Sequence, residues 1–272
     1  MVNGYCPASL KDALKIRAQE KVTPYSGGTD LMIDADKHTV YLFLNKVREL
    51  KNITVDETSI RIGAACTYTE LLESPFIPPI LKGAVRQIAA PAIRNTGTAG
   101  GNICNASPKA DSAHIFFVTN AKLRLASVRG ERIVPIRRFC LGRNKTVLAA
   151  DELLVEILMP KTGHDNYYYQ KVGARNALAI TRVSFAGLLD MENRRIKNCS
   201  TAFGAISDII LCREDIDAML TGKTAAEASA AKNEYLAAYD RAIIPIRGRV
   251  SAEYRKQVCM NLLRNFLASN GI

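Results

Sequence analysis

Apolar positions along this chain change period repeatedly, and each change marks a predicted element. Leu10, Ala13, Leu14 and Ile16 keep helical spacing behind Ser9, which predicts a helix over residues 9–20 with Ser9 as its N-cap. Residues 22–25, the run VYLFL at 40–44, and the stretches 53–55 and 59–64 read as strands. Thr67, three residues before Glu70, predicts a capping box and a helix over 67–72. A further helix is expected over 79–90, stopped by Pro91, because proline disfavours helical geometry in the residue before it. Residues 110–120 are another helical candidate. A hairpin over 122–128 and 132–136 turns through Arg129, Gly130 and Glu131, with Gly130 supplying a positive φ. The strand 153–159 closes at Pro160.

The texture changes at residues 160–166, which carry proline, glycine and polar side chains and make the best boundary. Beyond it, 167–172, 179–191 and 196–206 read as antiparallel strands with a turn at 192–195. Helices over 214–220, extended by the alanine-rich 225–238, and over 252–268 close the chain. The pattern predicts an α+β protein of two parts, residues 1–163 and 164–272, the second a small antiparallel sheet with helices.

Two glycine pairs interrupt these elements. TPYSGGTDL at 23–31 follows a predicted strand, and NTGTAGGNICNASPKAD at 95–111 follows a predicted helix. Paired glycines meet a backbone need, since glycine in a packed element costs roughly 0.5–1 kcal/mol against alanine. Successive amides without Cβ atoms make an anion nest, and Ser26, Thr29, Thr96 and Thr98 add hydroxyls. The expectation is a diphosphate held from two sides by uncharged donors. Neither segment matches GxGxxG or GxxxxGK[ST], so Rossmann and P-loop sites are unsupported.

Composition narrows the chemistry. The 272 residues are 48% hydrophobic and 23% charged, enough for a full core, and no apolar run approaches the ~20 residues of a membrane helix. The opening residues turn amphipathic and charged at once, unlike a signal peptide, so a cytoplasmic protein is expected. Cys6, Cys66, Cys104, Cys140, Cys199, Cys212 and Cys259 form no CxxC pair, which argues against a metal or iron–sulfur site on this chain. His38, His114 and His164 are far apart, and Asp111, Ser112 and His114, though close in sequence, do not make a triad. The net charge of +11 invites nucleic acid, yet Arg137, Arg138, Arg194, Arg195, Arg247 and Arg249 fall in short groups without interleaved aromatics, and the chain has no tryptophan. An acidic partner subunit or a phosphate-bearing ligand suits such a surface better.

Four ordered blocks, YSGGTDL, AAPAIRNTGTAGGNICNASPKADSA, ELLVEILMP and YYYQKVGARNALAIT, resemble the FAD-binding subunit of the molybdenum hydroxylases, the family of xanthine dehydrogenase, nicotinate dehydrogenase and aerobic carbon monoxide dehydrogenase. The resemblance implies the vanillyl-alcohol-oxidase (PCMH-type) FAD fold, with two α/β subdomains followed by the small C-terminal domain. It implies FAD as cofactor. Pro24, Tyr25, Ser26, Gly27, Gly28, Thr29, Asp30 and Leu31 correspond to the first diphosphate loop, and Thr98, Ala99, Gly100, Gly101 and Asn102 to the second. Ile88, Asp111, Leu154 and Lys171 fall at further flavin-contacting positions. A cation such as Lys171 beside the ring favours the anionic reduced flavin and tunes its potential.

The function implied is an electron-transfer subunit of an oxidoreductase acting on CH or CH2 groups. Substrate, a purine such as xanthine by family analogy, is hydroxylated on a molybdopterin subunit. Electrons cross [2Fe–2S] clusters of an iron–sulfur subunit to FAD, then reach NAD or another acceptor. The resemblance implies no catalytic side chain and no metal ligand on this chain, and neither a nucleic-acid nor a membrane partner. Two rivals remain: a flavin-free structural subunit of the same complex, and a basic nucleic-acid-binding protein.

Overall fold

In chain order the computed structural model, which describes residues 3–36, 38–175 and 178–272, runs β1 (Gly4–Tyr5), α1 (Leu10–Gln19), β2 (Thr23–Tyr25), β3 (Tyr41–Phe43), β4 (Ile53–Val55) and β5 (Ser59–Gly63). Five short helices follow: α2 (Tyr68–Glu73), α3 (Pro79–Arg86), α4 (Pro91–Arg94), α5 (Ala99–Cys104) and α6 (Asp111–Val118). Then come β6 (Lys122–Ser127), β7 (Gly130–Pro135), β8 (Cys140–Gly142), β9 (Lys145–Thr146), β10 (Leu153–Pro160), β11 (Tyr167–Val172), β12 (Val183–Glu192) and β13 (Arg195–Gly204). The helices α7 (Glu214–Asp217), α8 (Ala225–Ala242) and α9 (Ala252–Ser269) end the chain. The α+β expectation holds.

The chain forms two compact units. The first gathers Met1–Ile77, Ile88–Ala106 and Asn120–Lys161; the second gathers Pro78–Gln87, Ser107–Thr119 and Thr162–Ile272. In the first unit, β1-β3-β2 is a parallel sheet and β4-β5-β10-β6-β7 an antiparallel one. Ala13 of α1 packs with Leu42, Leu44, Val47, Leu50 and Val155 into one buried cluster. Arg61 and Arg124 flank Glu156 along the antiparallel sheet, with guanidinium–carboxylate distances of 2.5 and 3.0 Å. In the second unit β11-β12-β13 is antiparallel, and Phe185, Phe203, Tyr235, Tyr239 and Phe266 form its core with α8 and α9.

Local chemistry set the boundaries. Ser9 accepts from the Asp12 amide at 3.1 Å, and Thr67 with Glu70 completes the anticipated capping box. The helix expected over 79–90 stops at Arg86. Ala89 takes φ +39° and Ala90 is extended before Pro91, whose ring then starts α4 instead of merely ending a helix. The second glycine segment is likewise helical, because Thr98 caps α5 by accepting from Gly101 N at 3.2 Å. The second C-terminal strand begins at Val183, not 179. The helix expected over 214–220 ends at Asp217, and α8 is separate from it, split where Gly222 N donates to Ile196 O at 2.7 Å.

Candidate functional site

Within the first unit, β2 runs straight into the Ser26–Leu31 turn. Gly27 lies so close to the Thr96 carbonyl that a Cβ would overlap it, and the Gly97 Cα would stand 2.9 Å away. The two glycine segments therefore abut. Gly28 takes φ +68°, where a side chain is strained and would strike the Tyr25 ring. That ring is itself held by Tyr41 and Phe43, at centroid distances of 5.8 and 5.0 Å. Asp30 Oδ2 accepts from Asn105 Nδ2 at 2.7 Å, a second tie between the segments. Among the described residues the amides of Ser26, Gly27, Gly28, Thr29 and Asp30 donate to nothing, so this turn offers a row of unspent donors. Leu31 follows, partly exposed at the start of a short 3-10 turn.

The second segment spends its amides inside the fold. Ala99 N donates to Cys66 O at 3.0 Å, Gly100 N to Ala64 O at 2.9 Å, and Gly101 N to the Thr98 hydroxyl at 3.2 Å. Gly100 is buried because α5 sits on Ala64; a Cβ there would lie 2.6 Å from the Ala64 carbonyl oxygen. Gly101 is exposed, and a Cβ would meet only the Thr98 hydroxyl, at 2.8 Å. Asn102 continues the helix, donating to Thr98 O at 3.0 Å. The two anticipated nests thus reduce to one nest, at 26–30, with a smooth glycine edge beside it. Ile88 is half-buried beyond the end of α3, and its carbonyl accepts from Arg94 Nη1 at 2.7 Å. Leu154 is 5% exposed on β10, opposite Leu125.

Asp111 and Lys171 meet in the second unit. Lys171 Nζ stands 2.7 Å from Asp111 Oδ2 and donates to Gln87 O at 2.9 Å, and both side chains are 8% exposed. Thr181 Oγ1 donates to Asp111 Oδ1 at 2.8 Å, and Tyr169 OH reaches the same oxygen at 3.5 Å. Asp111 opens α6, but its carboxylate is turned to these partners and makes no cap bond. Burial pushes its carboxyl upward, while the Lys171 ammonium and the hydroxyls pull it back. The Tyr169 hydroxyl is raised well above its ordinary value by burial and by the neighbouring carboxylate. Tyr169 and Thr181 join the residues expected from sequence. Tyr169 carries a local signal, since it lies two residues from Lys171 on β11 and shares its face. Thr181 closes the fourth sequence block, but its own residue type points to no role. A cavity of about 290 Å³ opens beside Lys171, Gln87 and Arg175. Asn176 and Ala177, in the fourth sequence block, lie outside the described residues.

His114, on the same helix as Asp111, is 1% exposed, and its Nε2 lies 2.8 Å from Ala202 O. Burial pushes its imidazole down to about 4. A histidine depressed in the folded state stabilises above its unfolded value and loses that contribution as pH falls toward the folded one. Stability should therefore drop by about 3 kcal/mol between pH ~6.5 and ~4 through this group. Urea titrations of wild type and His114→Gln across that window check it; equal slopes in both refute the assignment.

Among the described residues no cluster of three His, Cys, Asp or Glu side chains is placed to hold a metal ion, and no helix is long and apolar enough to cross a membrane. The first segment fits a dinucleotide diphosphate: five free amides, a glycine contact that a Cβ would close, and a single acidic side chain tied to Asn105.

Residues 1–162 match the family described as the FAD binding domain in molybdopterin dehydrogenase, and residues 167–269 the CO dehydrogenase flavoprotein C-terminal domain. The xanthine dehydrogenase FAD-binding subunit of Escherichia coli O157:H7 is 36% identical over 208 residues, 72% of this chain and 71% of that protein. The nicotinate dehydrogenase FAD-subunit of Eubacterium barkeri is 32% identical over 191 residues, 65% and 64% of the two. Reconstituted CO dehydrogenase from Oligotropha carboxidovorans superposes with TM-score 0.88 at 27% identity, covering 97% of this chain and 96% of that one. Quinoline 2-oxidoreductase from Pseudomonas putida 86 shares the fold at TM-score 0.88 and 22% identity, over 100% and 97% of the chains.

Proposed function

We propose a function from one premise: the chain belongs to the FAD-binding family of the molybdopterin dehydrogenases. It is an oxidoreductase subunit whose FAD receives electrons from partner iron–sulfur clusters and passes them to NAD or another acceptor. Hydroxylation at a CH or CH2 group, of a purine such as xanthine by analogy with the relatives, occurs on a partner that carries molybdopterin. The observation that carries the reading is the abutment of the two glycine segments, with unspent amides at 26–30.

When bound, FAD supplies the reversible acceptance of two electrons. The chain's own residues hold and orient it. The amides of Ser26 to Asp30 take the diphosphate, beside the bare edge of Thr98 to Asn102, while Pro24, Tyr25 and Leu31 shape the turn. Ile88, Leu154, Asp111 and Lys171 belong to the same reading as contacts to the rest of the cofactor. No side chain here has to act as nucleophile or base. The division into a FAD-binding part, 1–163, and a C-terminal part, 164–272, is part of the proposal, as is a cytoplasmic location, which the free cysteines support.

Purified chain reconstituted with FAD should show bands near about 370 and about 450 nm. Gly101→Val should abolish FAD retention while leaving the fold, since a Cβ there meets only the Thr98 hydroxyl and its displacement costs one N-cap bond, about 1 kcal/mol. Gly100→Val does not separate the two effects, because it collides with Ala64. A folded wild-type chain that stays colourless favours the flavin-free structural subunit. Salt-sensitive capture of DNA or RNA by the colourless chain points to the nucleic-acid reading.

A further inference from the structure

The second unit holds a buried cation that no carboxylate pairs among the described residues. Arg255, in the first turns of α9, is 4% exposed. Its Nη1 donates to Ala205 O at 2.7 Å, and its Nε is buried with no acceptor. No carboxylate pairs with it or with neighbouring Arg182 among the described residues; burial and Arg182 both push the Arg255 guanidinium down. The unused Nε–Nη2 edge is the one that receives a carboxylate side-on, through two parallel bonds. Gly248 covers Nη2, so closely that a Cβ there would collide with it.

Gly248 belongs to residues 244–250, a strap without regular structure between α8 and α9. Ile246 N to Ile206 O, at 2.8 Å, and Gly248 N to Val250 O, at 3.2 Å, are its backbone ties. The strap exposes apolar surface: Ile244 is 78% exposed and Ile246 48%, with Ile209 at 41% on the loop bonded to it. Arg247 and Arg249 are also exposed and carry no ion pair among the described residues, and no acidic residue occurs between Asp240 and Glu253.

We infer that strap 244–250 and Arg255 beneath it form a docking surface for an acidic, partly apolar segment of a partner subunit. Ile244, Ile246 and Ile209 take the apolar side chains. Arg247 and Arg249 steer the segment in, and one carboxylate displaces Gly248 to pair with the Nε–Nη2 edge of Arg255. Charge complementarity selects this occupant: a second copy of the chain, itself at +11, would bring like charge to an arginine-lined surface. The inference rests on the proposed reading in one respect, that the chain works with partner subunits.

The test uses the complex isolated with its own partner subunits, and the same complex carrying variants of this chain. Arg247→Glu/Arg249→Glu should weaken assembly about tenfold or more at low salt, with a flatter salt dependence, as expected for lost steering charges. Arg194→Glu/Arg264→Glu makes the same charge change elsewhere on the unit and should assemble like wild type. Arg255→Met should weaken assembly by about 30-fold, as for a buried anchor. Because that variant also touches the fold, the exposed double variant is the deciding one. Assembly unchanged in Arg247→Glu/Arg249→Glu, or weakened equally in the control pair, overturns the inference. A wild-type chain that holds no FAD and joins no partner overturns the functional reading and this inference together.

Discussion

Lys171→Met should cost the folded chain about 3–5 kcal/mol at neutral pH, the size expected when one partner of a buried ion pair is removed. Lys171 Nζ is the only cation within 2.7 Å of Asp111 Oδ2 among the described residues, and without it the carboxylate keeps only Thr181 and Tyr169 as donors. The loss should depend on pH in a defined sense. Without its cation Asp111 moves further above its unfolded value. A carboxyl raised in the folded state penalises folding once pH exceeds the unfolded value, so the deficit grows as pH rises from ~4. Asp111→Asn/Lys171→Met should recover most of the loss. Urea unfolding at pH 4.5 and pH 7.5 reads both, these being settings about either side of the growing penalty. A Lys171→Met chain as stable as wild type at the higher pH would show that the pair is not buried.

The pairing also changes what Lys171 can do for a flavin. A lone cation favours the anionic reduced ring, whereas Lys171 with Asp111 is neutral as a unit. In FAD-loaded protein, Lys171→Met and Asp111→Asn should therefore move the midpoint potential in opposite directions.

Asp217 carries the second large effect. Its Oδ1 accepts from Tyr235 OH and Tyr239 OH, both at 2.8 Å, and from Thr201 Oγ1 at 2.9 Å; Oδ2 accepts from Thr201 N at 2.8 Å. The side chain lies at 3% exposure where α7, α8 and β13 join. Asp217→Ala strands buried donors whose loss costs about 1–3 kcal/mol each, so the variant should lose about 4 kcal/mol or more. Asp217→Asn keeps the volume but sets an amide donor against either the hydroxyls or Thr201 N, and should lose roughly half of that. Thermal unfolding of the two variants checks the order; Asp217→Ala within about 1 kcal/mol of wild type, the scale of a single neutral hydrogen bond, refutes it.

Burial outweighs these donors and pushes the Asp217 carboxyl up to about 6. Its contribution is therefore present below the ordinary carboxylate value and is lost as pH rises from ~4 to ~6. His114 has the opposite slope over nearly the same window. The wild-type stability curve should be flatter there than either group alone would make it, and Asp217→Asn should unmask the His114 slope.

Much of the fold follows from local rules that need no tertiary partner. Ser9, Thr67 and Glu70 announce helix starts through their own side-chain bonds, and the run of strand-favouring tyrosines at 167–169 marks β11. The glycine pairs and the four ordered blocks carry the family assignment, because a backbone approach that excludes Cβ leaves its trace in residue identity. Other features depend on what the chain packs against. That the amides of Ala99 and Gly100 are consumed was settled by Cys66 and Ala64, more than thirty residues earlier. Lys171 looks like a free cation in its own stretch of chain; its partners Asp111 and Gln87 lie on other segments. Arg255 gives no sign in its own neighbourhood that it is buried and, among the described residues, lacks a counter-ion. The sequence alone determined most of the strands, the helix starts at Ser9 and Thr67, and the family. Tertiary structure decided which donors remain unspent and which charges are paired, because burial and hydrogen-bond satisfaction belong to the assembled surface and not to any stretch of chain.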